Sequence, residues 1–199
     1  MRQGLRSIDE STDRLTRLVH DLLEVSRIRL GRLSLALEAV ELSSLIQRIA
    51  ARYASAGVTF QYGGGPAHVR ADPARFEQVL TNVLDNAVKY SSPGTPIEVA
   101  LSRDGAGFLV TVTDDGIGLP SGAAAAIFEP FSRAANAARS QRPGLGLGLF
   151  IARQIVELHA GTISAESPGE DQGTTIRIWL PAAPADSLPA TDPLREHPS

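Results

Sequence analysis

Hydrophobic residues recur at helical spacing through the first thirty residues of the chain. Successive members lie seven, three, four and three residues apart: Ile8, Leu15, Leu18, Leu22 and Val25. This spacing is the a/d seam of a helical bundle, and Gly31 favours the end of the helix after it. Because one helix cannot bury such a seam by itself, the pattern predicts a long bundle or coiled-coil helix that needs partner helices.

The chain beyond Gly31, up to residue 181, alternates between strand-like and helix-like patterns. Alternating hydrophobic positions predict strands at 33–37, 58–62, 68–70, 97–101, 108–113, 162–166 and 174–180. Helical spacing predicts a helix at 42–53, with Ser43 or Ser44 near its start, and another at 147–158. A further helix is predicted to begin at Pro73, with Asp72 as its N-cap. Together these elements predict an α/β sandwich, a mixed sheet with helices on one face.

Composition narrows the range of functions. The 199 residues are 43% hydrophobic and 5% aromatic, carry a net charge of -3 and include no cysteine. The acidic balance and the shortage of aromatic rings argue against nucleic-acid binding, and the lack of cysteine excludes disulfides and thiolate metal sites and fits a reducing cytosol. No hydrophobic run approaches the ~20 residues that cross a bilayer. Residues 182–199 are rich in proline without periodicity and are predicted to be disordered.

Two asparagines and a lysine share one side of the helix that follows Asp72. Asn82 and Asn86 are four residues apart, so both amides project from the same helix face, where their oxygens can bind a hard cation. Lys89 falls on the same side and is the only lysine among the 19 basic residues. Taken alone, these could be ordinary polar residues on a half-buried helix, and only the motifs around them favour a binding site.

Two glycine-rich motifs follow this helix. Asp114-Asp115-Gly116-Ile117-Gly118 comes directly after a strand, where Asp114 could merely cap a turn. Gly144-Leu145-Gly146-Leu147-Gly148 opens a helix, whose N-terminal amides can bind phosphate. The second motif is not G-x-G-x-x-G after a strand, and no Lys-Ser or Lys-Thr follows it. The Rossmann and P-loop interpretations therefore fail.

The same residues resemble the motifs of one protein family. Phe76 to Ser91 resembles the N box of sensor histidine kinases, Asp114 to Gly118 their G1 box, Phe128 to Phe131 their F box, and Gly144 to Gly148 their G2 box. All four occur in the family's order, and with the flanking segments the resemblance covers roughly residues 5 to 181. It implies the Bergerat ATP-binding fold, with ATP and Mg²⁺ as the ligands.

The resemblance also implies roles for individual residues. Asp114 would accept a hydrogen bond from the adenine amino group, Tyr90 would flank the base, and Asn86 and Asn82 would bind Mg²⁺. The implied nucleotide contacts are Asn82, Asn86, Lys89, Tyr90, Asp114, Gly116, Gly118, Arg133, Gly144, Gly146, Gly148 and Thr174.

Residues 119–143 correspond to the family's ATP lid. They are poor in large hydrophobic residues apart from Ile127, Phe128 and Phe131, and are expected to be mobile and anchored by those three side chains. The arginines that could reach phosphates from the lid are Arg133, Arg139 and Arg142. Each of them singly could equally be a solvated loop arginine.

The segment from Leu18 to Arg27 resembles the second helix of the family's dimerisation domain, which implies a first helix and a second protomer as partners. The family's phosphoacceptor, a His followed by an acidic residue and Arg-Thr-Pro, lies on that first helix, and no such string is present here. A sequence that begins inside a longer protein is favoured over one that has lost the acceptor. His20 matches the acceptor motif only in being followed by an acidic residue, Asp21. It is expected to be a solvated surface histidine.

The expected domains are 1–31, the second dimerisation helix; 32–181, the ATP-binding catalytic domain; and 182–199, the disordered tail. The expected function is transfer of the γ-phosphoryl group of Mg-ATP to a histidine, for relay to an aspartate on a response-regulator receiver domain. The expected partners are that receiver domain and, when the first helix is present, a second protomer that forms a homodimer through the N-terminal helix. The expected location is cytoplasmic, within a membrane-anchored parent protein.

Three alternatives remain open. The chain could be a hydrolytic ATPase of the gyrase, chaperone or mismatch-repair kind, or a serine kinase of the anti-sigma-factor type, both of which share the fold. It could also be a degenerate domain that only binds partners. The complete set of motifs argues against degeneracy, and the bundle helix argues against the anti-sigma type.

Overall fold

The computed structural model of the chain describes residues 16, 18–132, 134 and 145–184. The first helix, α1, covers residues 18–29 and is followed by a turn in which Gly31 has a φ of +65°, which confirms the predicted end of this helix. Of the predicted seam, Ile8 and Leu15 lie outside the described residues. Val25 is buried against the rest of the chain, whereas Leu22 is 46% exposed. None of the described helices is both long and apolar enough to cross a membrane.

Two sheets follow α1. The strands are β1 (Glu38–Glu41), β2 (Val58–Gln61), β3 (His68–Ala71), β4 (Ile97–Asp104), β5 (Gly107–Asp114), β6 (Thr162–Glu166) and β7 (Thr174–Pro181). The main sheet has the order β2-β4-β5-β7-β6, and its β2–β4 pair is parallel while the other pairs are antiparallel. β1 and β3 form a separate antiparallel pair. The mixed sheet that the sequence predicts is therefore confirmed.

Three helices accompany the sheets: α2 (Leu42–Ala51), α3 (Pro73–Tyr90) and α4 (Gly148–Leu158). In α3 the buried positions recur every three or four residues, from Phe76 to Ala87, as expected for an amphipathic helix packed on a sheet. Alternate residues of β4, β5 and β7 are buried, and they share one hydrophobic core with the buried faces of α3 and α4. This core fixes the position of α3 and α4 beside the end of β5.

The start of α3 agrees with the sequence prediction and gains a contact that the sequence does not reveal. The Asp72 side chain accepts hydrogen bonds from the backbone N–H groups of Ala74 and Arg75. The backbone N–H of Asp72 donates to Nε2 of the buried His159 over 3.0 Å, so the ring proton resides on Nδ1, which lies 2.8 Å from the Ile155 carbonyl oxygen. His159 thereby joins the end of α4 to the beginning of α3.

One sequence prediction near α2 is wrong. Residues 33–37 form no strand, and the strand lies instead at β1, immediately after them. Ser43 and Ser44 do lie in the first turn of α2, where Glu41 caps the helix by accepting from their backbone N–H groups. The Glu41 carboxylate accepts a further hydrogen bond from the backbone N–H of Ala67. Burial raises the pKa of Glu41, but the hydrogen bonds that its carboxylate accepts, led by that from the Ser44 side chain, outweigh burial and lower the pKa to about 2.

The segment after β7 pairs with the domain before the described residues end. The backbone N–H of Ala182 donates to Ala106, and that of Ala183 donates to His68. The predicted disordered tail, 182–199, therefore begins with residues that are hydrogen-bonded to the loop between β4 and β5 and to β3. Residues 185–199 lie outside the described part of the chain.

Candidate functional site

A cavity of about 310 Å³ lies between α3, the end of β5 and the start of α4. Its wall includes nine of the residues that the sequence analysis selected: Asn82, Asn86, Lys89, Tyr90, Asp114, Gly118, Gly146, Gly148 and Thr174. Gly116 lies directly behind the wall, packed against Asp114 and Tyr90. Arg133 and Gly144 lie outside the described residues, as do Arg139 and Arg142.

The asparagines of α3 stand one helical turn apart on the cavity wall. The side-chain nitrogen of Asn82 donates to the Gly148 carbonyl oxygen over 3.0 Å, which ties α3 to the first residue of α4. This contact sets the orientation of the amide and leaves its oxygen as the atom that can accept a ligand. The described residues include no group of three or more His, Cys, Asp or Glu side chains that could hold a metal. On the face of α3 that the sequence analysis selected, the amide oxygens of Asn82 and Asn86 are the atoms suited to a hard cation.

Asp114 ends β5 and places a buried carboxyl group in the cavity wall. Its side chain is only 8% exposed, and one carboxyl oxygen accepts a hydrogen bond of 2.9 Å from the backbone N–H of Gly116. Burial, assisted by the negative charge of Asp115, raises the pKa of Asp114 to about 6, although hydrogen bonds from the Gly116 and Thr174 backbones oppose the rise. The Asp114 carboxyl group is thus a buried hydrogen-bond acceptor in the cavity wall.

The loop after Asp114 leaves no room for side chains at two glycines. A Cβ atom on Gly116 would lie 2.6 Å from the Asp114 carboxyl oxygen and 2.6 Å from the Tyr90 carbonyl oxygen. Gly118 has a φ of +58° and would place a Cβ atom on the Gly169 carbonyl oxygen. Both glycines are therefore required by the packing of the loop itself, in addition to any approach to a ligand.

The end of α3 supplies a cation and an aromatic ring. The ammonium nitrogen of Lys89 lies 4.6 Å from the centre of the Tyr90 ring, in a cation–π contact. The Tyr90 carbonyl oxygen accepts a hydrogen bond of 3.2 Å from the backbone N–H of Ile117, which joins the end of α3 to the glycine loop. Among the described residues of the cavity wall, Lys89 is the only cation.

The anchoring of the predicted lid is only partly as expected. Phe128 is buried and Ile127 lines the cavity, but Phe131 is 55% exposed and does not anchor the segment with its ring. Phe131 adopts a positive φ of 63°, and its backbone N–H donates to the Gly146 carbonyl oxygen over 3.1 Å. A backbone hydrogen bond therefore replaces the predicted hydrophobic contact.

Two acidic residues of the wall were not selected from the sequence. Asp85 accepts a hydrogen bond of 2.8 Å from the Tyr53 hydroxyl group. Burial and this contact with Asp85 together raise the pKa of Tyr53 to about 12. Asp21 reaches the same wall from α1. Its position depends on how α1 packs on α3, and no local pattern in the sequence marks that contact.

Comparison with known proteins agrees with this geometry. Residues 71–184 match the family described as histidine kinase-, DNA gyrase B- and HSP90-like ATPase. The circadian input-output histidine kinase CikA of Synechococcus elongatus is 33% identical over 97% of this chain and 27% of its own length. The sensor protein SphS of the same species is 37% identical over 87% of this chain and 45% of its own length. The chain thus spans less than half of these relatives.

Solved structures show the same similarity. Full-length ShkA in complex with AMPPNP superposes with a TM-score of 0.78 at 27% identity, over 94% of this chain and 40% of that protein. The mycobacterial sensor histidine kinase MprB superposes with a TM-score of 0.64 at 32% identity, over 75% of this chain and 99% of that structure.

Proposed function

Because the chain belongs to the histidine kinase-, DNA gyrase B- and HSP90-like ATPase family, as the ATP-binding domain of a sensor histidine kinase, we propose that it transfers the γ-phosphoryl group of Mg-ATP to a histidine. We place the acceptor on the first helix of the family's dimerisation domain, whose histidine motif does not occur among these 199 residues. The phosphohistidine then donates its phosphoryl group to an aspartate of a response-regulator receiver domain.

The observation that carries this proposal is the arrangement of the cavity. A buried acceptor, Asp114, lines the same cavity as three polar groups of α3, Asn82, Asn86 and Lys89. Its volume of about 310 Å³ falls at the lower end of the range of roughly 300–1,000 Å³ for small-molecule sites. The amide oxygens and the single ammonium group suit a magnesium ion and a polyphosphate.

Each part of the wall has a task in this proposal. Asp114 accepts a hydrogen bond from the adenine amino group, and the Tyr90 ring flanks the base. Asn86 and Asn82 would hold Mg²⁺ through their amide oxygens, and the metal would supply neutralisation of phosphate charge when bound. The backbone amides at the start of α4, near Gly146 and Gly148, receive phosphate oxygens with the positive end of the helix dipole. Thr174, Gly116, Gly118, Arg133 and Gly144 complete the proposed nucleotide contacts.

The chain's own residues supply positioning and charge compensation. A phosphoryl transfer of this kind requires alignment of the acceptor with the γ-phosphoryl group more than it requires covalent chemistry by the enzyme. Asn82 lies one turn before Asn86 and is hydrogen-bonded to Gly148. A neutral amide at this place cannot remove a proton from water, so water is a poor competitor of the histidine. This feature favours the kinase over the hydrolytic ATPase.

The partners of the proposed kinase follow from α1. This helix exposes three large hydrophobic residues, Val19, Leu22 and Leu23, and Leu30 is exposed in the turn that follows it. A contiguous apolar surface on a helix fits a bundle with a first helix and a second protomer. We propose a homodimer formed through α1, located in the cytoplasm as part of a membrane-anchored protein.

Radiolabel transfer tests the proposal. The chain is mixed with γ-labelled ATP, Mg²⁺ and a helical hairpin that carries an acceptor histidine of the matching family. Label is expected on the hairpin, and it should disappear when the acceptor histidine is replaced by alanine. A hairpin that stays unlabelled while the chain binds Mg-ATP would contradict the kinase assignment and leave only nucleotide binding.

A further inference from the structure

A buried carboxylate joins α1 to α3. Glu24 lies in α1 yet is only 3% exposed. Its two carboxyl oxygens accept hydrogen bonds from the Arg75 guanidinium group and from the Gln78 side-chain amide. His20, one turn earlier in α1, lies with Nδ1 4.0 Å from Oε2 of Glu24. Since a buried charge is tolerated only when it is paired and hydrogen-bonded, this Glu24 cluster holds α1 in one specific position.

The Glu24 cluster also fixes which part of α1 reaches the cavity. Glu24 meets the first two turns of α3, at Arg75 and Gln78. Asp21, one turn earlier in α1, lines the cavity together with Asn82 and Asp85 of the following turns of α3. The two helices therefore run past each other in opposite directions. From this antiparallel arrangement and the rise of each helix, we infer that Asp21 lies at the asparagine end of the cavity.

We propose that Asp21 is a further residue of the nucleotide site, which the Glu24 cluster positions, and that it makes the site select metal-loaded over metal-free nucleotide. The inference rests on the proposed function, because that function places the phosphates at the asparagine end. It extends the site beyond the ATP-binding domain, since Asp21 belongs to the helix that precedes that domain.

The selectivity follows from the charges of the wall. Lys89 is the only cation among the described lining residues, whereas three of them, Asp21, Asp85 and Asp114, are acidic. A metal-free polyphosphate would bring several negative charges against these carboxylates, which is unfavourable in a partly enclosed site. A bound Mg²⁺ removes most of that repulsion. By thermodynamic reciprocity, metal-free nucleotide must also weaken the docking of α1.

Binding of ADP with Mg²⁺ and with EDTA tests the role of Asp21. Asp21→Asn is expected to raise the affinity for metal-free ADP at least about fivefold and to change the affinity for Mg-ADP less than about twofold. Fivefold is about the lower end of the typical range for coupling between two sites. Glu38→Gln makes the same chemical change at an exposed position outside the cavity wall and should alter neither. Equal effects of Asp21→Asn with and without the metal would overturn the inference.

Charge reversal tests the positioning by Glu24. Glu24→Arg places the new arginine beside Arg75, and the repulsion should detach α1 from α3. Asp21→Asn should then have no further effect on the affinity for metal-free ADP in this background. Adding Arg75→Glu restores an ion pair of opposite polarity and should restore the effect of Asp21→Asn. Arg27→Glu, an exposed charge reversal on the same helix, is the matched control. An effect of Asp21→Asn that persists unchanged in Glu24→Arg would contradict the positioning role.

A distance measurement reports the docking without any nucleotide. Since the chain has no cysteine, spin labels can be attached to Ser26→Cys in α1 and Glu98→Cys in β4, both exposed positions. A single narrow distance is expected for the labelled parent, a broad distribution for Glu24→Arg, and a narrow one again with Arg75→Glu. A narrow distance in Glu24→Arg would overturn the proposed docking. If no variant binds ADP under any condition while these distances behave as expected, the proposed function is wrong and the selectivity falls with it.

Discussion

Replacing Asp114 by asparagine should stabilise the nucleotide-free protein at neutral pH. Burial raises the pKa of Asp114 in the folded protein to about 6, from 3.8 for an ordinary aspartate. Below about pH 4 the carboxyl group is protonated in both the folded and the unfolded protein, so it does not change the free energy of unfolding. Between about pH 4 and 6 the unfolded chain loses the proton first, so the free energy of unfolding falls as the pH rises. Since each pKa unit corresponds to about 1.4 kcal/mol, the ionised group lowers the free energy of unfolding above pH 6 by at most about 3 kcal/mol.

Asparagine keeps the acceptor for the Gly116 N–H without the charge. Thermal unfolding followed by circular dichroism from pH 4 to pH 8 measures the difference. The melting temperature of Asp114→Asn should match that of the parent at pH 4 and exceed it at pH 8 by up to about 6–12 °C. Asp104→Asn, an exposed residue at the end of β4, is the matched control and should shift little at any pH.

The same substitution should weaken adenine nucleotide binding, because a hydrogen bond to a charged group contributes about 1.5–3 kcal/mol. An affinity loss of about ten- to 100-fold is therefore expected alongside the gain in stability. A melting-temperature difference that is the same at pH 4 and pH 8, or a variant less stable than the parent at pH 8, would refute the account of Asp114.

Three further predictions address other parts of the chain. His159→Ala removes the acceptor of the Asp72 N–H and should lower the free energy of unfolding by about 2 kcal/mol or more. A free energy of unfolding, measured by urea denaturation, within about 0.5 kcal/mol of the parent value would contradict the link between α3 and α4, because surface substitutions alone scatter by that much. ATP hydrolysis by the chain alone should be far slower than roughly 1 per second, as steady-state phosphate release would show, because Asn82 cannot act as a general base. His20, although exposed, should take up no label from γ-labelled ATP, and label that vanishes in His20→Ala would refute this.

Local patterns were sufficient to predict the elements whose signals lie within one segment. Asp72 and Pro73 mark the start of α3, and the four-residue spacing of Asn82 and Asn86 places both on the cavity wall. In contrast, Glu41 became the cap of α2 because it also receives the N–H of Ala67, 26 residues away. The leucine alternation at 33–37 has the strand period but makes no ladder, since β3 pairs with β1 instead.

Contacts between distant segments account for the rest. Glu24 and Arg75 are 51 residues apart, and Asp72 and His159 are 87 apart, so no window along the chain reveals either pair. The exposure of Phe131 likewise depends on a backbone contact with Gly146. The sequence was sufficient to predict which residues share the cavity wall, whereas the contacts that hold its helices in place required the three-dimensional structure.

Calorimetric titration of the chain with Mg-ATP tests the central claim most directly. Binding in the micromolar to millimolar range is expected, roughly -4 to -8 kcal/mol. Asn86→Ala should abolish it, because the substitution removes a proposed ligand of Mg²⁺ and leaves phosphate charge uncompensated. Val88→Ala, on an exposed position of the same helix, should bind like the parent. Equal affinity of the parent and Asn86→Ala would contradict the account.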